Sequence, residues 1–111
     1  MENCIFCNIA AGKIPSEKVH HEGDSIVSFP DKFPKAPGHT LIIPVEHYQW
    51  FQDLPDELSD KLFRVAKKVA RELKESTGAD YIRLGIVGTD VSHVHIHLVP
   101  QKLSQTKVEG L

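Results

Sequence analysis

Residues 93–99 read His93-Val94-His95-Ile96-His97-Leu98-Val99, and no other stretch limits the fold of the chain so tightly. Strict alternation of this length fits a β-strand, whose successive side chains point to opposite faces. Three imidazoles then share one face, and Val94, Ile96 and Leu98 share the other. Such an apolar face needs a layer to pack on. The segment able to supply it follows Pro55, where Leu58, Leu62, Val65, Ala66, Val69, Ala70 and Leu73 keep helical spacing until Gly78. This predicts one amphipathic helix of about six turns, at 3.6 residues per turn.

The remaining segments are too punctuated for a second long helix. Pro15, Pro30, Pro34, Pro37, Gly38 and Pro44 keep the elements before about residue 53 short. Strands are predicted over Lys18-Val19-His20-His21 and Ser25-Ile26-Val27-Ser28-Phe29, joined as a hairpin by Glu22-Gly23-Asp24, and over Thr40-Leu41-Ile42-Ile43. Two closing strands, Tyr81 to Val87 and Ser92 to Val99, flank Gly88-Thr89-Asp90, a connection of hairpin length. Asn3 to Ala11 reads as a short helix. The order β-β-β-α-β-β, with hairpins at both ends, predicts an α+β fold: an antiparallel sheet of about five strands with the long helix on one face.

At 111 residues the chain is sized for a single domain spanning 1–111, with 41% hydrophobic content for a modest core. Residues 102–111 carry no periodicity and read as a short, disordered tail. Thirteen Lys+Arg against 15 Asp+Glu give a formal net charge of −2, which disfavours nucleic-acid binding and leaves small phosphorylated ligands open. The longest apolar runs fall well short of the roughly 20 residues that cross a bilayer. A soluble, cytoplasmic protein is expected. Lys61, Arg64, Lys67, Lys68 and Arg71 fit the solvated face of the long helix.

Strand geometry also divides the labour of the three histidines. A rise of about 3.3 Å per residue puts His93 and His97 about 13 Å apart, whereas Zn–N bonds are about 2 Å long. A single catalytic metal held by all three therefore fails unless the strand bends strongly. The outer histidines then do different jobs, and the middle one is left as general base or nucleophile, roles that a neutral imidazole fills near pH 7. A merely solvated strand face would be served equally by Lys, Thr or Glu. Cys4-x-x-Cys7 is ambiguous between a redox pair and half a zinc site. It opens the chain ahead of any strand, where a thioredoxin-type pair would follow one, and this position favours zinc.

The alternating segment resembles the His-φ-His-φ-His-φ-φ signature of the histidine triad (HIT) proteins. Cys4-Ile5-Phe6-Cys7-Asn8-Ile9, Gly12-Lys13-Ile14-Pro15, Phe29-Pro30-Asp31 and the run from Pro34 to Pro44 are also similar to that family, in its order, so that the resemblance covers roughly residues 3 to 100. It implies a nucleotidyl hydrolase or transferase that cleaves a nucleoside monophosphate from a phosphoramidate or a dinucleoside polyphosphate. His95 would be the nucleophile, and His97 and His39 donors to the phosphate oxygens. Phe6, Ile9 and Phe29 match positions that enclose the base, Asp31 the acid that accepts ribose hydroxyls, and Thr89 remains a candidate phosphate donor. The implied partner is a purine nucleotide such as an adenosine derivative. In bacterial-type members, His47 and His93 complete the metal set begun by Cys4 and Cys7, a closed and therefore structural zinc site; no catalytic metal is implied. A homodimer is implied as well. The same fold would also serve a catalytically weak nucleotide-binding or regulatory module.

The chain departs from the family pattern at several positions. Ile86 stands near a family Asn, Thr89-Asp90 replaces an amide and hydroxyl pair, Gln101 falls where many members carry Arg, and Lys32 replaces an apolar residue. An inward-pointing Asp90 would repel phosphate. His20 and His21 match no family motif, and adjacent strand residues face opposite ways.

Overall fold

The computed structural model describes residues 4–14 and 19–105. Five strands form one antiparallel sheet: β1 (His20–Glu22), β2 (Ile26–Pro30), β3 (Thr40–Pro44), β4 (Tyr81–Ile86) and β5 (Ile96–Gln101), in the order β1-β2-β3-β5-β4. A short helix, α1 (Ile5–Ala10), precedes them, and the long helix α2 (Asp56–Thr77) separates β3 from β4. Single 3₁₀ turns stand at Phe51–Asp53 and Leu103–Gln105. The second occupies part of the expected tail. The rest of that tail, the Asn3 end of the expected first helix, Pro15 and Lys18 lie outside the described residues.

The sheet is covered on both faces because its central strands are apolar on both, with successive residues of β2 and β3 buried to opposite sides. Ile26, Ile42, Val94, Ile96 and Leu98 meet Leu62 and Ala66 of α2 and Leu54 in one core. On the opposite face Val27, Phe29, Leu41 and Ile43 meet Phe6, Ile9 and Ala10 of α1 in a second. α2 begins one residue after Pro55 and ends where Gly78 adopts φ +71°, its N–H returning to the Lys74 carbonyl. That left-handed cap suits glycine. The polar side of α2 faces outward, with Lys68 bridging to Glu22 at 3.0 Å.

The last strand is shorter at its start than its side-chain pattern predicts. Alternation runs from residue 93, yet regular pairing begins at Ile96, opposite Ile42 on one side and Ile86 on the other. Extending the β3 register would next oppose Ile43 to His95 and then Pro44 to Val94, and proline has no N–H to give a ladder. The Val94 N–H goes instead to the Tyr48 carbonyl. The connection from β4 is therefore nine residues, 87–95, and not the short hairpin link expected. His93 and His95 sit in it, freed from ladder constraints, while Val94 still points into the α2 core.

Candidate functional site

Two clusters of polar side chains converge on the α1 side of the sheet. The first joins the start of α1 to the segment after β3 and to the β4–β5 connection. Cys4 caps the start of α1 and accepts the Cys7 N–H at 3.4 Å. Its Sγ lies 3.3 Å from His93 Nδ1, and Cys7 Sγ lies 3.4 Å from the same nitrogen and 3.2 Å from His47 Nδ1. The four donor atoms fall within 4.8 Å of one another. A tetrahedral zinc with bonds of about 2.3 Å to sulfur and 2.0–2.1 Å to nitrogen has S···N edges of about 3.6 Å, so the spacing fits. The tautomer fits too. His93 Nε2 is 2.8 Å from the Pro44 carbonyl, an acceptor only, so Nε2 carries the proton and Nδ1 presents its lone pair to both sulfurs. Burial, then the adjoining Cys4 sulfur, push the Cys7 thiol up to about 11. Two thiolates side by side repel, and a divalent cation between them would remove that repulsion.

The second cluster is built from β3, β5 and their connections. His39 enters at the base of β3, 2% exposed, and its Nδ1 accepts the Lys35 N–H at 3.0 Å. The proton of a neutral His39 ring therefore sits on Nε2, which lies 3.0 Å from His97 Nδ1 and 3.3 Å from Asp31 Oδ2. Donation to His97 leaves that ring with a bare Nδ1 and a proton on Nε2. Burial lowers the pKa of both rings below the usual value, which favours these neutral forms. A metal held by Asp31, His39 and His97 is geometrically compact, but the Lys35 hydrogen bond puts a proton where His39 would have to ligate.

His95 is fully buried between these clusters. Its Nδ1 lies 2.6 Å from the His93 carbonyl. A carbonyl only accepts, so Nδ1 bears the proton and the neutral ring keeps a lone pair on Nε2. Among the described residues Nε2 has no hydrogen-bond partner. Asp90 Oδ1 approaches it to 3.2 Å, a distance at which the two are near neighbours, but off the axis that a hydrogen bond needs. Phe6 packs edge-on against His95 at 5.0 Å and against Phe29 at 5.6 Å between ring centroids.

Of the residues singled out from the sequence, Cys4, Cys7, His47 and His93 form one group, and Asp31, His39 and His97 another, with His95 beside His97 at 4.8 Å between rings. Phe6 and Ile9 of α1 and Phe29 of β2 are all buried together in the core on this face. Asp31 also accepts the Phe33 N–H at 2.9 Å, which fixes its turn. Thr89 is exposed on the β4–β5 connection, one residue before Asp90. The carbonyls of Pro44 and His93 and the N–H of Lys35 set the three tautomers, and being backbone groups they leave no mark in a sequence.

The sequence model of the HIT domain matches residues 11–103. The chain belongs to the HIT domain family. An uncharacterized HIT-like protein of Methanocaldococcus jannaschii is 35% identical over 102 residues, covering 88% of this chain and 78% of that one. Adenosine 5'-monophosphoramidase of Saccharomyces cerevisiae is 39% identical over 100 residues, 89% of this HIT domain and 63% of the yeast protein. Among solved structures, a zinc-bound histidine triad family protein of Mycobacterium smegmatis superposes with a TM-score of 0.85 at 29% identity, over 95% of this chain and 79% of that one. The five-stranded antiparallel sheet with one long and one short helix is thus the HIT fold.

Proposed function

We propose that this HIT domain is a nucleotide hydrolase or transferase that forms a nucleotidyl-histidine on His95. The carrying observation is the His95 ring: proton on Nδ1 toward the His93 carbonyl, and Nε2 buried with no hydrogen-bond partner among the described residues, the Asp90 carboxylate lying beside it. In the first step the Nε2 lone pair attacks an α-phosphorus, the Nε2–P bond forms as the bond to the leaving group breaks, and the leaving group departs with that electron pair and takes a proton from water. In the second, water attacks phosphorus, the P–Nε2 bond breaks, and a nucleoside monophosphate leaves with one proton released to solvent. The chain of hydrogen bonds from the Lys35 N–H through His39 to His97 holds a donor on His97 Nε2 for a non-bridging oxygen. In this arrangement His39 acts through His97.

The substrate class is an adenosine phosphoramidate or a dinucleoside polyphosphate, a reading supported by the name of the yeast relative. Phe6, Ile9 and Phe29 would enclose the base and Asp31 would accept the ribose hydroxyls, with Thr89 near the phosphates. Cys4, Cys7, His47 and His93 would hold one zinc, a reading supported by their geometry and by the zinc-bound neighbour. Four protein donors would close its coordination, and the metal would then fasten α1 and the β4–β5 connection together. A cytoplasmic homodimer completes the proposal. β4 is an edge strand, and Leu84, Val87 and the α2 residue Phe63 are exposed at 46%, 60% and 40%, a surface that a second copy would cover.

Acid-quench trapping with a radiolabelled adenylyl phosphoramidate tests the reaction. Wild type should carry label on His95, and His95→Ala should bind nucleotide without label or turnover. His97→Ala should lose about 10²- to 10³-fold in rate, the usual cost of one donor to a developing oxyanion. Label on another residue, or hydrolysis unchanged in His95→Ala, would leave the reading as a binding module.

A further inference from the structure

Asp90 stands on the exposed side of the β4–β5 connection, yet its Oδ1 lies 3.2 Å from His95 Nε2, beside the lone pair and off its axis. Burial raises its pKa, but the attraction of His95 whenever that ring is protonated, with the N–H groups of Val91 and Asp90 itself, outweighs burial and lowers it. The carboxylate is therefore ionised near neutral pH. A phosphorus in attack range is about 3–3.5 Å from Nε2, which puts it within about 7 Å of Asp90 Oδ1.

We propose that Asp90 determines which leaving groups the site accepts, favouring a neutral or cationic departing group such as an amine over a polyphosphate. The proposal rests on the reading of His95 as nucleophile. The α-phosphate charge is common to all substrates and is penalised equally in each, so the leaving group makes the difference. A polyphosphate brings further negative charges within about one Debye length of Asp90, roughly 8 Å at physiological salt. An amine brings none, or a positive charge that the carboxylate attracts. The leaving group lies beyond the phosphorus in an in-line attack, roughly 8 Å or more from Asp90, where an effective dielectric between those of a protein surface and water lets each unit of charge change the rate severalfold. Asp90 departs from the role of donor that a hydroxyl would play at this place: it offers no proton to phosphate and selects by charge.

The test compares kcat/KM for an adenosine phosphoramidate with an amine leaving group and for a diadenosine polyphosphate, on the zinc-loaded full chain. Wild type, Asp90→Asn and Asp90→Ser are measured, with thermal stability as the check on folding. In both variants the phosphoramidate-to-polyphosphate ratio should fall severalfold to about tenfold, chiefly because the polyphosphate improves. Raising salt from about 0.05 to about 0.5 M should narrow the ratio in wild type more than in Asp90→Asn, since the Asp90 share of the screening is present only in wild type. A ratio that stays constant, including one in which both substrates change together, overturns the proposal. Absence of a nucleotidyl-His95 in wild type would instead refute the nucleophile, and a ratio still moved by Asp90→Asn would then uphold charge selection alone.

Discussion

Phe6 is the side chain through which α1 touches both halves of the site, and replacing it with alanine measures what that contact contributes. The ring is 7% exposed and meets Phe29 at 5.6 Å, His95 at 5.0 Å and His93 at 6.1 Å between centroids, all near edge-on. A buried Phe→Ala change costs about 3–5 kcal/mol, with less where the surroundings can settle into the cavity. α1 is a helix of six residues at the surface of its cluster, so the lower end, about 3 kcal/mol, is expected. With a urea slope of about 1.5 kcal/mol per molar, the midpoint should fall by about 2 M at unchanged slope. Circular dichroism in urea, on zinc-loaded protein, reads this directly. A double-mutant cycle with Phe29→Ala should return about 1 kcal/mol for the edge-on pair. A loss below about 1 kcal/mol with no coupling would show that α1 is not packed as described, and the route by which it supports His95 would fail with it.

The purified protein should hold about one zinc per chain by elemental analysis, and Cys4→Ala should reduce both metal content and thermal stability; no metal, with Cys4→Ala as stable as wild type, removes the site. Stability should decline as pH falls below about 6.5. Burial depresses the His39 and His97 pKa values in the folded state, so the unfolded chain binds more protons there, and stability present above the unfolded pKa is lost as pH drops through the folded one. Urea midpoints at several pH values should show this slope, and a slope equal in His39→Gln would contradict it. Light scattering at micromolar concentration should give twice the chain mass, with Leu84→Glu shifting it toward monomer; a monomeric wild type refutes the dimer. Gly38→Ala should destabilise by about 1–3 kcal/mol in thermal melts, because Gly38 has φ +89° and a Cβ would come within 2.8 Å of Thr77 Cγ2; wild-type stability in that variant would contradict this packing.

Local pattern in the sequence determined the faces and the main elements. The Leu58 to Leu73 spacing specified α2 to within a residue at each end, because helix periodicity, an entry proline and a left-handed Gly78 cap are all local physics. Alternation from His93 likewise assigned Val94, Ile96 and Leu98 to the α2 core and the histidines to the other side, and that division survives even where regular pairing does not. Pairing itself was a tertiary matter: whether residues 93–95 join a ladder depends on what β3 offers opposite them, and Pro44 offers no N–H. The protonation of the site was decided at the same level. Pro44 lies 49 positions from His93, and its carbonyl, like the Lys35 N–H on His39, is a backbone group that any residue type would supply. Side-chain identity cannot announce such a donor or acceptor; only the folded chain brings it within 3 Å of a ring nitrogen and so chooses which nitrogen keeps its lone pair.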